Sequence, residues 1–232
     1  MKRTIAALVV LATLGVLAPT VHAAPFTIDH FTQPNTGQAV SVTGIGSAFN
    51  TTTGLAGVVG GSRTLQVDVT ASAYGQSSSL VVSPASPGAL SLGNDSGQVG
   101  VGTVTWDANG AGLGGVDITN GSILPIFQAT ILFSDLNLGF RVDITETAGA
   151  GGSTAFWSTN LGSGPSLVNQ SLASFTNAGA VDFTKVDKIV LTMSGPLAQD
   201  ATLDLVEVVP EPVTMSMLGL GGLALLLRRR RA

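Results

Sequence analysis

Between Leu138 and Glu146 the chain alternates without a break: Leu138, Phe140, Val142 and Ile144 interleave with Gly139, Arg141, Asp143 and Thr145. A period of two belongs to the β-strand, whose successive side chains leave on opposite faces, so this segment offers one apolar face to a core and one polar face to water. The same period recurs. Leu65, Val67 and Val69 interleave with Gln66, Asp68 and Thr70; Ile189, Leu191 and Met193 with Lys188, Val190 and Thr192; Leu203 and Leu205 with Thr202 and Asp204. Shorter candidates are Phe26 to Phe31, Ala39 to Thr43, Leu80 to Val82, Val99 to Trp106, Ala129 to Ser134 and Ser153 to Thr159, about ten strands in all. Turn chemistry separates them at Gly60-Gly61, Pro87-Gly88, Gly93-Asn94-Asp95, Asn109-Gly110, Asn120-Gly121, Gly149 to Gly152 and Gly195-Pro196. Away from the two ends no stretch has a helical period with caps. The expected fold is all-β, an antiparallel β-sandwich of jelly-roll type. Cysteine is absent, which excludes a disulfide framework and a thiolate metal site and leaves stability to packing.

The two ends have a different grammar. Met1-Lys2-Arg3, an apolar run from Ile5 to Ala18 and the small-residue site Val21-His22-Ala23 read as a signal peptide over 1–23, cut by signal peptidase after Ala23. Cleavage one residue later would put Pro25 just beyond the cut, where its ring distorts the extended conformation a protease grips. At the other end Val209-Pro210-Glu211-Pro212 precedes fifteen uncharged residues, 213–227, and then Arg228, Arg229, Arg230 and Arg231. The uncharged stretch can satisfy its own backbone as a single transmembrane helix, and the arginines keep its far end in the cytoplasm. At about 1.5 Å per residue it spans roughly 22 Å against a hydrocarbon core of about 30 Å, a short span suited to a tail that is read and removed.

Pro-Glu-Pro, an apolar helix and a terminal arginine cluster, in that order, resemble the PEP-CTERM sorting signal of Gram-negative bacteria. The match covers about the last 23 residues, with Val209, Pro210, Glu211 and Pro212 as the sorting motif and Arg228 to Arg231 as the cytoplasmic basic cluster. The resemblance implies an exosortase as processing partner, transient anchoring in the inner membrane, and release to a cell surface or matrix rich in exopolysaccharide or biofilm polymer. The chain then divides into a signal peptide (1–23), a β-sandwich domain (24–209) and a sorting signal (210–232). Gly60-Gly61-Ser62-Arg63 entering a strand, and Asp182 to Val190 followed by Asp200 to Val208, are similar to parts of secreted bacterial β-sandwiches with this tail. The second pair resembles the closing strands of galactose-binding-like jelly rolls and raises carbohydrate binding.

Six of the ten positive charges sit in the terminal signals, so the exported part sets only Arg63, Arg141, Lys185 and Lys188 against all 14 acidic residues. Four scattered cations cannot form the basic patch that nucleic acid requires, and no nucleic-acid partner is expected. After signal cleavage the only histidine is His30, expected on a half-buried strand face with Phe26 and Ile28 rather than in a catalytic triad. A glycosidase needs two carboxylates facing each other across a cleft. Most acids here, Asp68 and Asp143 among them, fall on polar strand faces or in turns. Asn94-Asp95-Ser96, Asp107 with Asn109, and Asp117 with Asn120 carry oxygen ligands of the kind calcium uses, yet the same residues make turns by local hydrogen bonds. No metal or cofactor is expected. Among the aromatics, Trp106 shares parity with Val104 and belongs to the core, whereas Tyr74 should face water. Of the adjacent pair Phe156 and Trp157 one must point outward. Tyr74 and Trp157 (or Phe156) are therefore the candidate sugar-stacking rings. The reading that follows is a non-catalytic exported surface or matrix protein; the alternative is a secreted carbohydrate-binding module or polysaccharide-active hydrolase.

Overall fold

Thirteen strands form two antiparallel sheets in the computed structural model, which describes residues 24–85, 88–147 and 152–211. The expected signal peptide and the tail from Pro212 onward lie outside the described residues. In chain order the strands are β1 (Phe26–Asp29), β2 (Gln38–Thr43), β3 (Gly46–Thr53), β4 (Ser62–Ser72), β5 (Ser77–Ser83), β6 (Ala89–Asn94), β7 (Gln98–Trp106), β8 (Pro125–Ser134), β9 (Leu138–Glu146), β10 (Thr154–Leu161), β11 (Ser166–Ser171), β12 (Val186–Ser194) and β13 (Asp200–Pro210). Sheet A runs β11-β8-β13-β6-β5-β2, with β1 beside the end of β13; sheet B runs β10-β9-β12-β7-β4-β3. The closing segments expected to lie as a pair are split, β12 into sheet B and β13 into sheet A.

Alternation puts the apolar faces together. Phe127, Ile131, Leu80, Leu92 and Leu203 from sheet A meet Leu65, Val104, Phe140, Val142 and Leu191 from sheet B, all at most 2 % exposed. Each such side chain contributes roughly 1.5–3 kcal/mol relative to staying in water. In β7 the inward positions between Gln98 and Val104 are glycines, and the reason is steric. A Cβ at Gly102 would stand 3.1 Å from Leu80 Cδ1 and Leu92 Cδ1, so the missing side chain lets two leucines of the facing sheet close in.

One expected alternation breaks. In β13 the register to β8 slips between Thr202 and Val206, and this irregularity leaves Leu203 and Val206 buried while Leu205 turns off the core face. A bulge of this kind adds an unpaired residue and reverses the parity beyond it.

Sandwich ends are closed by polar contacts. The buried Arg63 guanidinium pairs with the buried Asp29 carboxylate at 2.6 Å, donates from Nε to Gln38 Oε1 at 3.0 Å, and bonds the Gln33 carbonyl. Asp29 Oδ2 also accepts from Trp106 Nε1 at 2.9 Å, and its Oδ1 accepts from the Phe31 N–H at 2.7 Å. That last bond holds Phe31 at a φ of 55°, a left-handed conformation bulky residues rarely adopt. The network ties β1 and β2 of sheet A to β4 and β7 of sheet B. Gly88 lies against the same segment: a Cβ there would meet the Phe31 carbonyl carbon at 2.5 Å.

Candidate functional site

The outer face of sheet B carries a continuous polar surface, because every strand in it presents its alternate residues there. Registration aligns Phe156, Asp143, Val190, Thr105, Thr64 and Thr51 in one row across six strands. The next row holds Ser158, Arg141, Thr192, Thr103, Gln66 and Phe49. Arg141 is the centre of its chemistry. It grips Asp143 with two bonds, Nε to Oδ2 at 2.8 Å and NH2 to Oδ1 at 2.6 Å, and its Cζ lies 4.2 Å from the centroid of the Phe156 ring. Hydrogen bonding to Asp143 raises the Arg141 pKa above its already high ordinary value. Farther along, Gln66 Nε2 donates to Asp68 Oδ2 at 2.8 Å, and Phe49 stands 72 % exposed on the edge strand. Planar donors, carboxylates, threonine hydroxyls and an exposed ring suit hydroxyl-bearing ligands such as sugars.

The rings singled out from sequence are not brought together. Tyr74 is 76 % exposed, but it sits in the turn after β4, beyond the last strand residue Ser72, so its exposure owes nothing to strand parity. Trp157 requires a correction. It points into the sandwich with Ala155 and packs edge-on against Phe140, ring centroids 6.4 Å apart; Phe156 is the member of the pair on the outer face. Four strand spacings separate β10 from β4, about 19 Å, so Tyr74 and either residue of the pair cannot share one sugar ring. His30 is exposed just past the end of β1, not half-buried within it. Burial pushes the nearby Glu207 carboxyl upward, and the proximity of His30 only partly opposes it.

Carboxylates on this face are far apart. Asp68 on β4 and Asp143 on β9 are three strands distant, about 14 Å laterally, wider than the roughly 5–9.5 Å that glycoside hydrolysis uses. Loop carboxylates are engaged by backbone and hydroxyl donors: Asp107 Oδ1 accepts from Gly110 and Asp117 Oδ1 from both the N–H and hydroxyl of Thr119 within their own turns, while Asp95 Oδ2 accepts from the Ser77 N–H at the start of β5. Among the described residues no three His, Cys, Asp or Glu side chains gather around one point. Asp182 is tied likewise. The Thr184 hydroxyl, with help from Lys185 and the Thr184 N–H, holds its carboxyl down to about 2.

The expected sorting motif, Val209 to Pro212, begins inside the fold. Val209 is registered with Ile126 and Pro210 with Pro125, and the Glu211 N–H donates to Leu124 O at 3.1 Å. The boundary expected at 209/210 thus falls within β13, and Val209 and Pro210 belong to the sandwich. Pro212 and Arg228 to Arg231 lie outside the described residues. Beside the exit, an open groove of about 460 Å³ is lined by Ile123, Pro125, Leu172, Val181 and Phe183 among others.

No family model matches the chain, and no curated protein does. Solved structures are similar at the level of the sandwich. A family 11 carbohydrate-binding module from Clostridium thermocellum, in complex with a β-1,3-1,4-mixed-linked tetrasaccharide, is 14 % identical with a TM-score of 0.41, over 80 % of this chain and 95 % of that one. The family 30 module of a Clostridium thermocellum cellulosomal cellulase is 9 % identical with a TM-score of 0.41, over 75 % of this chain and 98 % of that one. An exo-β-agarase is 11 % identical with a TM-score of 0.40, over 64 % of this chain and 23 % of that one. Likeness at this level is to the fold and supports no particular ligand.

Proposed function

We propose that this chain is an exported, non-catalytic cell-surface or matrix protein, built as a jelly roll, sorted by an exosortase through its tail and associated with exopolysaccharide. The tail carries the reading: motif, uncharged span and arginines occur in the order that export, pausing in the membrane and processing require. The jelly-roll assignment draws support from the chain passing repeatedly between sheets, as at β6 to β7 and β8 to β9. Because Val209 to Glu211 are bonded along β8 and its approach, the processing enzyme must open those last rungs before it can grip the motif in extended form. In a host with the matching exosortase, changing Pro210, Glu211 and Pro212 together to alanine should leave a full-length, membrane-held precursor. Normal processing of that variant would overturn the reading.

A second reading, carbohydrate binding without hydrolysis, is favoured by the outer face of sheet B, where Arg141, Asp143, Phe156 and Phe49 combine charge-assisted donors with rings. Sugar binding there should be lost in Arg141→Ala and weakened in Phe49→Ala, with Tyr74→Ala unaffected. A glycan array with residues 24–211 makes the measurement, and equal binding by all three variants would place any sugar site elsewhere.

A further inference from the structure

Both segments that flank the sandwich leave it at one pole. Phe26 is registered with Val208, so the start of β1 and the end of β13 lie side by side. A single surface loop, 119–125, touches both exits: Asn120 Nδ2 donates to Ala24 O at 2.9 Å, and Leu124 O accepts the Glu211 N–H at 3.1 Å. The tip of that loop is apolar. Ile123 is 94 % exposed and Leu124 is 47 % exposed.

Chain length decides what this tip faces. From Glu211, still bonded to the sandwich, only two residues lead to Val213, where the uncharged stretch begins. Two residues reach at most about 7 Å. The headgroup layer on one side of a bilayer is about as thick, roughly 5–8 Å. A membrane holding residues 213–227 therefore brings its headgroups to the 119–125 loop.

We propose that this pole is a lipid-seating surface, with Ile123 and Leu124 entering the headgroup layer of the membrane that holds the tail and Tyr74 at the opposite, outward pole. The proposal rests on the tail being a membrane segment. Charge fixes the kind of lipid. Asp117 and Asp182 stand near this loop, and Lys185 is already paired with Asp182 at 3.0 Å, so seating depends on apolar insertion and not on attraction to anionic lipid. Zwitterionic phospholipid is the matching surface.

The chain has no cysteine, which makes single-site labelling unambiguous. Full-length Ile123→Cys, Tyr74→Cys and Leu220→Cys variants, each carrying an environment-sensitive fluorophore, would be placed in nanodiscs of zwitterionic phospholipid with spin labels on headgroups or acyl chains. The label at 123 should shift to the blue and lose fluorescence to headgroup spin labels, the label at 74 should do neither, and the label at 220 should lose fluorescence to acyl-chain spin labels. Quenching at 220 with a water-like label at 123 overturns the seating surface alone. A water-like label at 220 overturns the membrane reading of the tail, and the seating surface with it. Equal quenching at 123 and 74 overturns the assigned orientation.

Discussion

Asp29→Ala should destabilise the sandwich by about 3–5 kcal/mol, the cost of leaving one partner of a buried ion pair without the other. The Asp29 carboxylate answers three donors at once, Arg63 NH1, Trp106 Nε1 and the Phe31 N–H, all in buried surroundings. Removing it strands a guanidinium that has no exposed surface and releases the bond holding Phe31 in its left-handed conformation. The effect must be separated from the net worth of the pair. Taking two charges out of water costs nearly as much as their attraction returns, so replacing both partners, Asp29→Leu with Arg63→Met, should restore much of the loss. Urea denaturation of residues 24–211 for the wild type, the single and the double variant measures this. A single variant within about 1 kcal/mol of wild type would mean that the cation reaches water, and the network would then not be a lock between sheets.

That network marks where reading the sequence stopped short. Arg63 shares parity with Leu65, Val67 and Val69, so its place on the inward face is legible; counting it among four scattered cations makes no use of that signal. Its partner was not legible, because Asp29 comes from another sheet and nothing local pairs it with Arg63 across 34 residues. Central strands are legible through alternation: the buried runs Leu65, Val67, Val69 in β4, Leu138 to Ile144 in β9 and Ile189 to Met193 in β12 are apolar at every second position. Edge strands are not. β3 and β11 lie at sheet edges and bury little, so Gly46–Thr53 and Ser166–Ser171 carry no strong alternation and are not among the strands the sequence predicts. β6 was hidden by Gly93 and Asn94, turn residues in the abstract that serve here as strand positions facing β13 and β5. For the adjacent rings, parity could say that one faces outward but not which. The choice between Phe156 and Trp157 depends on the register to β9.

Phe140→Ala and Arg141→Ala are neighbours on one strand, and the sandwich assigns them opposite fates. Phe140 is 1 % exposed and joins the two sheets, its ring centroid 6.5 Å from Phe127 of sheet A and 6.4 Å from Trp157 on the adjacent strand. Truncation removes the transfer energy of the ring and leaves a cavity that two flanking aromatics cannot fill without moving, a loss of about 3–5 kcal/mol. In a domain of this size that lowers the midpoint of thermal unfolding by roughly 6–20 °C. Arg141 faces the other way, 44 % exposed in its side chain, with its ion pair to Asp143 open to water. An exposed pair is worth about 0–1 kcal/mol, and the contact with Phe156 adds about 0.5–1 kcal/mol. Arg141→Ala should therefore shift the midpoint much less, while abolishing any sugar binding on that face. Both measurements use one pair of variants. Comparable thermal losses would mean that position 140 does not bridge the sheets, whereas a small stability change with sugar binding retained in Arg141→Ala would leave the sandwich intact and remove the outer face of sheet B as its ligand surface.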